Sequence, residues 1–424
     1  MEAQKHNRWL IAIMGTVLQL SLGTVYTWSF FQKPIMAAYG WSNVQVMWIF
    51  SIAICFLGLS AAVGGVLLPK YGPRKLATTG ALLYGTGYLL SAFAMSIGNL
   101  PLFYLFFGVI GGIGLGLGYV TPVATASKWF PDKQGFVTGM VVMGFGLGAL
   151  IMSKVIAPAL MNLTGGDIIK VFLYSGFVLL AIGVPAGLIM KNPPAGFVPA
   201  GYTPPVKSAA SQGHEDDLTA KKCIMSSKFW GMWIIFFMNI AAGIMFIGLQ
   251  SPMLQDLLKI TSPDMDTAAL AAAGATLIGI SSLFNGVGRF FWGGLSDKIG
   301  RIQAFRLILG SQVLVFIAMI YTGNPWLFGI LVCYVLLCYG GGFGTMPSFV
   351  KDIFHAKLMP VVYGTILTAW SMGGIVGPQI SAYIKDTYPD SAAPKTFVVG
   401  AILLSIGLLV SFTLSNKSIT EGKA

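Results

Sequence analysis

The sequence predicts an all-α membrane protein of twelve transmembrane helices, arranged as two six-helix halves. Of its 424 residues, 55% are hydrophobic and only 9% are charged, whereas soluble domains carry about 25% charged residues. The apolar residues form twelve stretches, each long enough for a helix to cross ~30 Å of hydrocarbon. A polar, proline-rich segment, residues 191–228, separates the first six stretches from the last six.

The predicted spans follow one another along the chain with short polar connections. The first six are Trp9–Phe31, Val44–Leu68, Leu76–Ser96, Leu102–Ser127, Phe136–Leu160 and Val171–Met190. The second six are Phe229–Leu254, Ala268–Leu295, Ala304–Tyr321, Trp326–Phe349, Tyr363–Ile384 and Thr396–Leu414. The segment between the two sets contains the polar run 214–217 and is predicted to be a flexible cytoplasmic linker. We therefore divide the chain into a half at 1–190, the linker at 191–228 and a half at 229–424.

The basic residues predict the orientation of the chain in the membrane. They lie mainly in short loops between apolar spans, so the net charge of +12 reflects topology rather than binding to nucleic acid. With both termini in the cytoplasm, nineteen lysines and arginines fall on the cytoplasmic side and six on the outer side, and Arg289 completes the 26. Because cytoplasmic loops carry the excess of positive charge, we expect a multi-pass protein of a bacterial or archaeal plasma membrane with both termini inside.

Span eight contains one charged residue, Arg289, within the stretch 268–294. A guanidinium cannot shed its proton to escape the bilayer, because its pKa stays above ~12. Its presence inside a span is unfavourable unless it faces a watery cavity or a partner anion. A structural pair with a carboxylate and snorkelling towards the aqueous boundary at Asp297 remain alternatives, but no other predicted span supplies an acid. The pattern favours an anion-binding role, with Asn285 one turn earlier on the same face.

A repeated loop motif connects the two halves to a known family. Residues 293–301, with the sequence GGLSDKIGR, follow span eight, and residues 64–74, with the sequence GGVLLPKYGPR, follow span two. The first of these resembles the loop signature of the major facilitator superfamily, and the second departs from it with Pro69 where the acid belongs. Together with the 6+6 layout, the resemblance implies the fold of that superfamily, which usually works as a monomer.

Two further motifs resemble a narrower group. Residues 23–29, with the sequence GTVYTWS, and residues 128–135, with the sequence KWFPDKQG, are similar to the oxalate/formate antiporter family and its bacterial monocarboxylate transporter relatives. A lone arginine on span eight is also a hallmark of that group, and Arg289 matches it. The resemblance implies a carrier of small carboxylate anions.

Departures from this group narrow the substrate class. The oxalate carrier has a lysine as its second cation in span eleven, where residues 368–371 read TAWS and Trp370 replaces the charge. A dianion needs two positive partners to be desolvated, whereas a monoanion is balanced by Arg289 alone. The animal monocarboxylate transporters carry an aspartate one turn before this arginine, where Asn285 stands here. The sequence therefore favours a monocarboxylate of the lactate/pyruvate type over oxalate, without choosing among lactate, pyruvate, acetate, glycolate and formate.

The arginine predicts a largely aromatic binding cavity around the substrate carboxylate. Its planar fork can donate two parallel hydrogen bonds to a carboxylate, and apolar walls strengthen that pairing and fit a short carbon chain. Rings are also common on lipid-facing surfaces, so each aromatic residue has that alternative. The candidate substrate-binding residues are Arg289, Asn285, Tyr26, Trp28, Tyr119, Phe145, Tyr339, Phe343 and Trp370.

The glycine-rich stretches of spans four, five and ten are predicted to pack helices closely. A phosphate-binding loop would need a strand before it and a helix after it in water, but these glycines lie inside apolar spans. Without side chains they let neighbouring backbones approach and rock.

The coupling ion is left open by the sequence. All fourteen acids and all three histidines lie in loops, tails or span ends, so no proton relay crosses the membrane. An empty carrier would have to reorient with Arg289 buried and unpaired, which favours exchange of one anion for another. Proton symport remains possible if a rim acid such as Asp256, or the substrate carboxyl, takes the proton.

Other classes of protein fit the sequence less well. Oxalate/formate exchange is the alternative within the family. An anion channel would need a ring of like charges or a continuous polar pore, and a membrane-bound sensor would need a signalling domain, for which the loop and tails are short. An enzyme is disfavoured because no nucleophile–base pair is evident. The four cysteines form no CxxC motif, so no metal or cofactor is expected.

Overall fold

A computed structural model describes residues 7–194, 196–199, 201–202, 219–354 and 358–416 of the chain. Within these residues the regular elements are all helical, which confirms the predicted class. In chain order the long helices are α1 (Arg8–Tyr39), α2 (Asn43–Tyr71), α3 (Pro73–Ser96), α4 (Leu100–Trp129), α5 (Phe136–Thr164), α6 (Ile168–Ile189), α7 (Ser227–Thr261), α8 (Thr267–Ile299), α9 (Arg301–Ile320), α10 (Pro325–Phe354), α11 (Met359–Ile366 and Thr368–Thr387) and α12 (Ala392–Ser411).

These helices correspond one to one with the predicted spans, although several are longer. In the part of the chain that the structure describes, ten are long and apolar enough to cross a membrane, and the exceptions, α3 and α11, are rich in glycine, serine and threonine. Helix α1 continues past the predicted end at Phe31, and α7 continues past Leu254. The added turns carry Lys33 and Asp256, charges that a helix tolerates beyond the hydrocarbon. Most of the predicted linker, including the run 214–217, lies outside the described residues.

Polar side chains set the beginnings of several helices. The Ser42 hydroxyl accepts a hydrogen bond from the backbone N–H of Gln45, and the Oε1 of Gln45 accepts one from the backbone N–H of Ser42. The pair forms a capping box at the start of α2. Asp167 caps α6 and Asp266 caps α8 in the same position. These caps occupy the loops predicted between apolar stretches, because the first N–H groups of a helix need partners where the hydrocarbon ends.

The helix bundle has two ends, which we name by the chain termini. The terminal face is the end at which α1 begins and α12 ends, and the far face is the opposite end, near residues 40–42 and 262–266. The first six and the last six helices meet along two seams, α2 against α11 and α5 against α8. Inverted or parallel repeats of this kind place a central site between the two sets of helices.

Glycines bring the backbones together at both seams. A Cβ atom added to Gly146 of α5 would lie 2.8 Å from the Cα of Gly286 in α8. A Cβ atom added to Gly58 of α2 would lie 2.5 Å from the carbonyl oxygen of Leu367 in α11. Within the last six helices, a Cβ atom on Gly344 of α10 would lie 2.8 Å from the Cα of Arg289. The predicted role of the glycines of spans five and ten in close helix packing is confirmed at Gly146 and Gly344, and Gly58 of span two packs in the same way. The contact at Gly344 holds the arginine-bearing turn of α8 against α10.

Candidate functional site

Arg289 lies at the centre of the bundle with 1% of its surface exposed. Its Nη1 donates a long hydrogen bond of 3.4 Å to the hydroxyl of Tyr119 on α4. Its Nε and Nη2 are buried and have no hydrogen-bond partner among the described residues. In the same part of the chain no carboxylate forms an ion pair with it. The guanidinium therefore neither snorkels nor pairs with an acid, and a buried charge left in this way is unfavourable until an anion arrives.

Aromatic rings enclose the guanidinium from both sets of helices. Its central carbon lies 5.0 Å from the ring centroid of Phe343 on α10 and 5.8 Å from that of Phe145 on α5. Trp370 on α11 packs edge-on against Phe343 at 4.5 Å and against Tyr119 at 5.0 Å. Ring faces attract a cation and exclude water, so the guanidinium lies in a site of low polarity where an added carboxylate would bind strongly.

A pair of hydroxyl groups covers the site on the side towards the far face. The hydroxyl oxygens of Tyr26 on α1 and Tyr339 on α10 lie 2.6 Å apart. The ring of Tyr26 also contacts Phe145, with a centroid distance of 5.1 Å. Tyr339 precedes Phe343 by one helical turn, which places the pair one turn nearer the far face. The two tyrosines thus join the first six helices to the last six directly above Arg289.

The structure brings most of the predicted site residues together. One contact network contains Arg289, Tyr26, Tyr119, Phe145, Tyr339, Phe343 and Trp370. Asn285 is buried one turn before Arg289, and its Oδ1 has no hydrogen-bond partner among the described residues. It packs against Gly340 of α10 rather than contacting the guanidinium.

Trp28 is the predicted site residue that the structure places elsewhere. Its indole N–H donates to the Oε1 of Gln32 at 3.1 Å, and its ring packs against Phe50 and Phe107. Residues 24–27 form a 3-10 turn inside α1, which has three residues per turn instead of 3.6. Tyr26 and Trp28 point into different clusters because residues two positions apart lie on nearly opposite faces of a helix, in the 3-10 turn as in the α-helix around it.

Tyr363 is a buried aromatic residue that sequence reasoning did not select as a site candidate. It lies in the first piece of α11 and is 2% exposed, and its hydroxyl has no hydrogen-bond partner among the described residues. The sequence marked it as the first residue of span eleven, where an aromatic ring is typical of the membrane interface. Its spacing of seven residues from Trp370 is the signal that could have identified it, because two helical turns return a side chain to the same face.

A cavity of about 470 Å³ leads from the site to the terminal face. Arg289 and Phe343 form its inner end, and Asp297, Arg301 and Asp352 lie at its outer end. Ligand-binding pockets commonly measure about 300–1,000 Å³, so a small organic anion has room to reach the guanidinium. The site is therefore open to the terminal face.

Towards the far face, contacts between the first six and the last six helices close the site. The carboxylate of Asp256 on α7 accepts hydrogen bonds from Lys33 of α1 at 2.9 Å and from Lys385 of α11 at 2.6 Å. The carboxylate of Asp386 accepts bonds from the Asn43 side chain and the Val44 backbone at the start of α2. These groups join α1 and α2 to α7 and α11.

Nearer the site, serine hydroxyls connect the first six and the last six helices at both seams. The hydroxyl of Ser282 on α8 donates to the carbonyl of Gly146 at 2.6 Å and accepts from the backbone N–H of Leu150 at 3.0 Å, both on α5. At the other seam the hydroxyl of Ser371 on α11 donates to the carbonyl of Cys55 on α2 at 2.7 Å. Each seam thus carries a hydrogen bond from a serine of the last six helices to the backbone of the first six.

The loop motif at residues 128–135 organises the terminal face rather than the site. Asp132 accepts two hydrogen bonds from the Arg8 guanidinium, at 2.7 and 3.0 Å. These bonds hold the pKa of Asp132 below its usual value. The indole of Trp129 donates to the carbonyl of Lys191 at 2.7 Å. The motif therefore fastens the ends of α1, α4 and α6 to one another.

Comparison with known proteins supplies the family. The sequence model described as Major Facilitator Superfamily matches residues 11–378. The oxalate:formate antiporter of Oxalobacter formigenes is 27% identical over 403 residues, which cover 93% of this chain and 88% of the antiporter. The apicoplast pyruvate carrier 1 of Toxoplasma gondii is 24% identical and covers 97% of this chain and 88% of the carrier. The resemblance predicted from the motifs is confirmed.

A solved structure shares the fold. A bacterial homologue of the human lysosomal transporter Spinster, in an inward-facing and unoccupied conformation, matches with a TM-score of 0.67 at 15% sequence identity. The match covers 96% of this chain and 97% of that chain. It confirms the predicted twelve-helix fold, and at this identity it carries no information about substrate.

Proposed function

The chain belongs to the major facilitator superfamily, and we propose that it is a secondary active transporter of small monocarboxylates of the lactate/pyruvate type. The observation that carries the proposal is the buried guanidinium of Arg289, whose Nε and Nη2 have no partner among the described residues. It stands at the inner end of a cavity that reaches one face of the bundle. A carboxylate would supply the missing acceptors and the missing charge, and Arg289 would bind it through its planar fork.

Two buried tyrosines complete the proposed carboxylate site. Tyr119 bonds to Arg289, and Tyr363 carries a buried hydroxyl that has no hydrogen-bond partner among the described residues. Their hydroxyl groups can donate to a carboxylate oxygen, or to a 2-hydroxyl or keto oxygen of the substrate. Phe145 and Phe343 would pack against a short carbon chain. This arrangement suits a small anion with one apolar end.

The charge of the site supports a monoanion. The aromatic network around Arg289 contains Trp370 at the position where, by resemblance, the oxalate carrier has a lysine. With one cation, a monocarboxylate leaves the occupied site neutral, whereas oxalate would leave a buried negative charge. The names of two relatives, an oxalate:formate antiporter and a pyruvate carrier, fit a carrier of small carboxylates. Oxalate/formate exchange remains the second candidate, because formate is also a monoanion whose charge Arg289 alone can balance.

We propose transport by alternating access between the first six and the last six helices. The site opens to the terminal face, which the basic residues predict to be cytoplasmic, in a bacterial or archaeal plasma membrane. Return of the empty carrier would require Arg289 to stay buried without a partner, which favours exchange of one anion for another. Proton symport is the alternative, with a rim acid such as Asp256 or the substrate carboxyl carrying the proton. A channel is disfavoured because the contacts on the far side close the path while the site is open to the terminal face.

The experiment that tests this function is uptake of labelled L-lactate into proteoliposomes, with and without an inward proton gradient. Gradient-driven, saturable uptake that disappears in Arg289→Ala would establish a proton-coupled carrier. Uptake only into vesicles preloaded with unlabelled anion would establish an exchanger. If lactate and pyruvate fail in both formats while formate and oxalate exchange, the substrate class is wrong; flux that does not saturate or show counterflow would indicate a channel.

A further inference from the structure

A buried glutamine of α1 contacts the backbone of the tyrosine that touches Arg289. Gln19 is fully buried, and its Nε2 donates a hydrogen bond of 2.9 Å to the carbonyl oxygen of Tyr119. The other end of its amide, Oε1, has no hydrogen-bond partner among the described residues. Turning the amide over would place Oε1 against another acceptor, so the donor orientation is required.

The glutamine bonds to α4 at the turn that a proline interrupts. Pro122 lies inside α4 and has no N–H to offer the carbonyl of Gly118, and a proline ring also opens the turn before it. Inside a membrane such freed carbonyls must find other donors, which neighbouring side chains supply. Gln19 donates to the neighbouring carbonyl in the interrupted turn, that of Tyr119, and so adds a hydrogen bond from α1 to α4 beside the carbonyl that the proline leaves free.

Helix α1 packs closely against the interrupted turn of α4 on both sides of Gln19. A Cβ atom on Gly15 would lie 3.2 Å from the Cβ of Pro122, so the missing side chain admits the proline ring. One turn beyond Gln19, the side chain of Leu22 packs against Gly118. The hydrogen bond therefore sits in the middle of a fitted contact, and it fixes the backbone of the residue whose hydroxyl accepts from Arg289.

We propose that Gln19 is a positioning residue for the substrate carboxylate, acting through Tyr119. Its amide holds the interrupted turn of α4 in the form that directs the Tyr119 hydroxyl at Arg289 and at the bound anion. The proposal rests on the proposed function, since it assigns the substrate to the Arg289 site. Packing alone does not account for Gln19, because methionine would fill a similar volume without burying an amide oxygen that lacks a partner.

The test is a double-mutant cycle of Gln19→Met and Tyr119→Phe, with binding of L-lactate and pyruvate measured by calorimetry on the full-length protein in detergent. We expect Gln19→Met to weaken binding about fivefold in the parent protein, the equivalent of one hydrogen bond. In the Tyr119→Phe background the same change is expected to alter binding by less than about twofold, because its effect is transmitted through the missing hydroxyl. Thermal unfolding temperature is expected to be unchanged or higher in Gln19→Met.

The control is Thr16→Val, one turn away on α1, which removes a hydroxyl that bonds within its own helix to the carbonyl of Ala12. It is expected to leave binding unchanged. An equal loss of affinity from Gln19→Met in both backgrounds, or a loss matched by a lower unfolding temperature, would overturn the positioning role. Failure of the proposed function looks different: the parent protein would then bind neither anion, or would bind as well after Arg289→Ala.

Discussion

The first six and the last six helices make different kinds of contact on the two sides of Arg289. Towards the far face, hydrogen bonds and ion pairs cross between the first six and the last six helices, as at Lys33 and Asp256. Towards the terminal face, the charged residues pair within their own set of six, as Arg8 does with Asp132 and Arg301 with Asp352. A cavity of about 470 Å³ separates the sets there. The alternating access proposed above therefore requires the crossing contacts on the far side to break, whereas the charge pairs on the terminal face can stay intact.

The crossing contact of Ser282 near the site can be broken at a small cost in free energy. Ser282 bonds to both the carbonyl of Gly146 and the N–H of Leu150 in α5. These groups are four residues apart, so they are the acceptor and the donor of one α-helical hydrogen bond. If α8 moves away, these two backbone groups can satisfy each other. Only a hydroxyl loses partners, and a serine on a helix can bond to its own backbone. Neither of these two backbone groups therefore has to be left without a partner when α8 moves away from α5.

The largest expected effect is at Arg289, which stands between the two sides. Arg289→Ala should weaken binding of the transported anion by about a hundredfold or more, because it removes the only charge of the aromatic network and a two-point hydrogen bond. Arg289→Lys keeps the charge and loses the planar fork, so we expect an intermediate loss of about tenfold. Calorimetric titration of both variants checks this, and a lysine variant that binds like the parent would contradict bidentate recognition.

A smaller effect is expected from Ser282→Ala, which removes a crossing contact. It should raise the population open to the far side by up to about fivefold. The reporter is labelling of Met47→Cys by a maleimide, in a background without native cysteines, because Met47 is fully buried and packs across the bundle against Gly248. The matched control is Ser281→Ala, whose hydroxyl bonds to Gln250 within the last six helices. Equal labelling rates in the two variants would show that Ser282 does not hold the seam.

The two lysines that pair with Asp256 allow the same comparison between a contact that crosses between the sets of helices and one that does not, with a smaller expected effect. Lys33 comes from the first six helices and Lys385 from the last six, as Asp256 does. Lys33→Gln should speed labelling of Met47→Cys by about two- to threefold, and Lys385→Gln should not, because partly exposed ion pairs contribute at most ~1 kcal/mol. Faster labelling in Lys385→Gln alone would reverse our assignment of the crossing contact.

The smallest effect is expected at Asp132, which pairs within the first six helices. Asp132→Asn should lower the unfolding temperature by about 1–2 °C at pH 7 and leave the labelling rate of Met47→Cys unchanged. Because Arg8 holds the pKa of Asp132 below its usual value, the stabilisation is present at neutral pH and is lost as the pH falls below ~4. Thermal unfolding at pH 7 and pH 3 checks the sign, and a difference that grows in acid would contradict it.

Reasoning from the sequence reached the helices and the central charge for one physical reason. The bilayer imposes its own length and polarity on every span, so apolar runs identify helices without knowledge of their neighbours. The same constraint makes Arg289 conspicuous, because a charge in a span needs a partner. Trp370 was identified by resemblance and Tyr119 as a candidate aromatic residue; in the structure Tyr119 bonds to the arginine and Trp370 packs against Tyr119.

The tertiary structure alone decided which side chains meet and which side of the site is open. Trp28 bonds to Gln32 and packs against Phe50 and Phe107 instead of entering the site. Trp370 of α11 packs edge-on against Tyr119, whose hydroxyl bonds to Arg289. The bond from Gln19 to Tyr119 joins residues 100 positions apart. Composition and periodicity act within one helix, whereas these contacts depend on how helices lie against each other. The sequence by itself therefore determined the spans and the unpaired charge, and the packing of the helices determined the site around it.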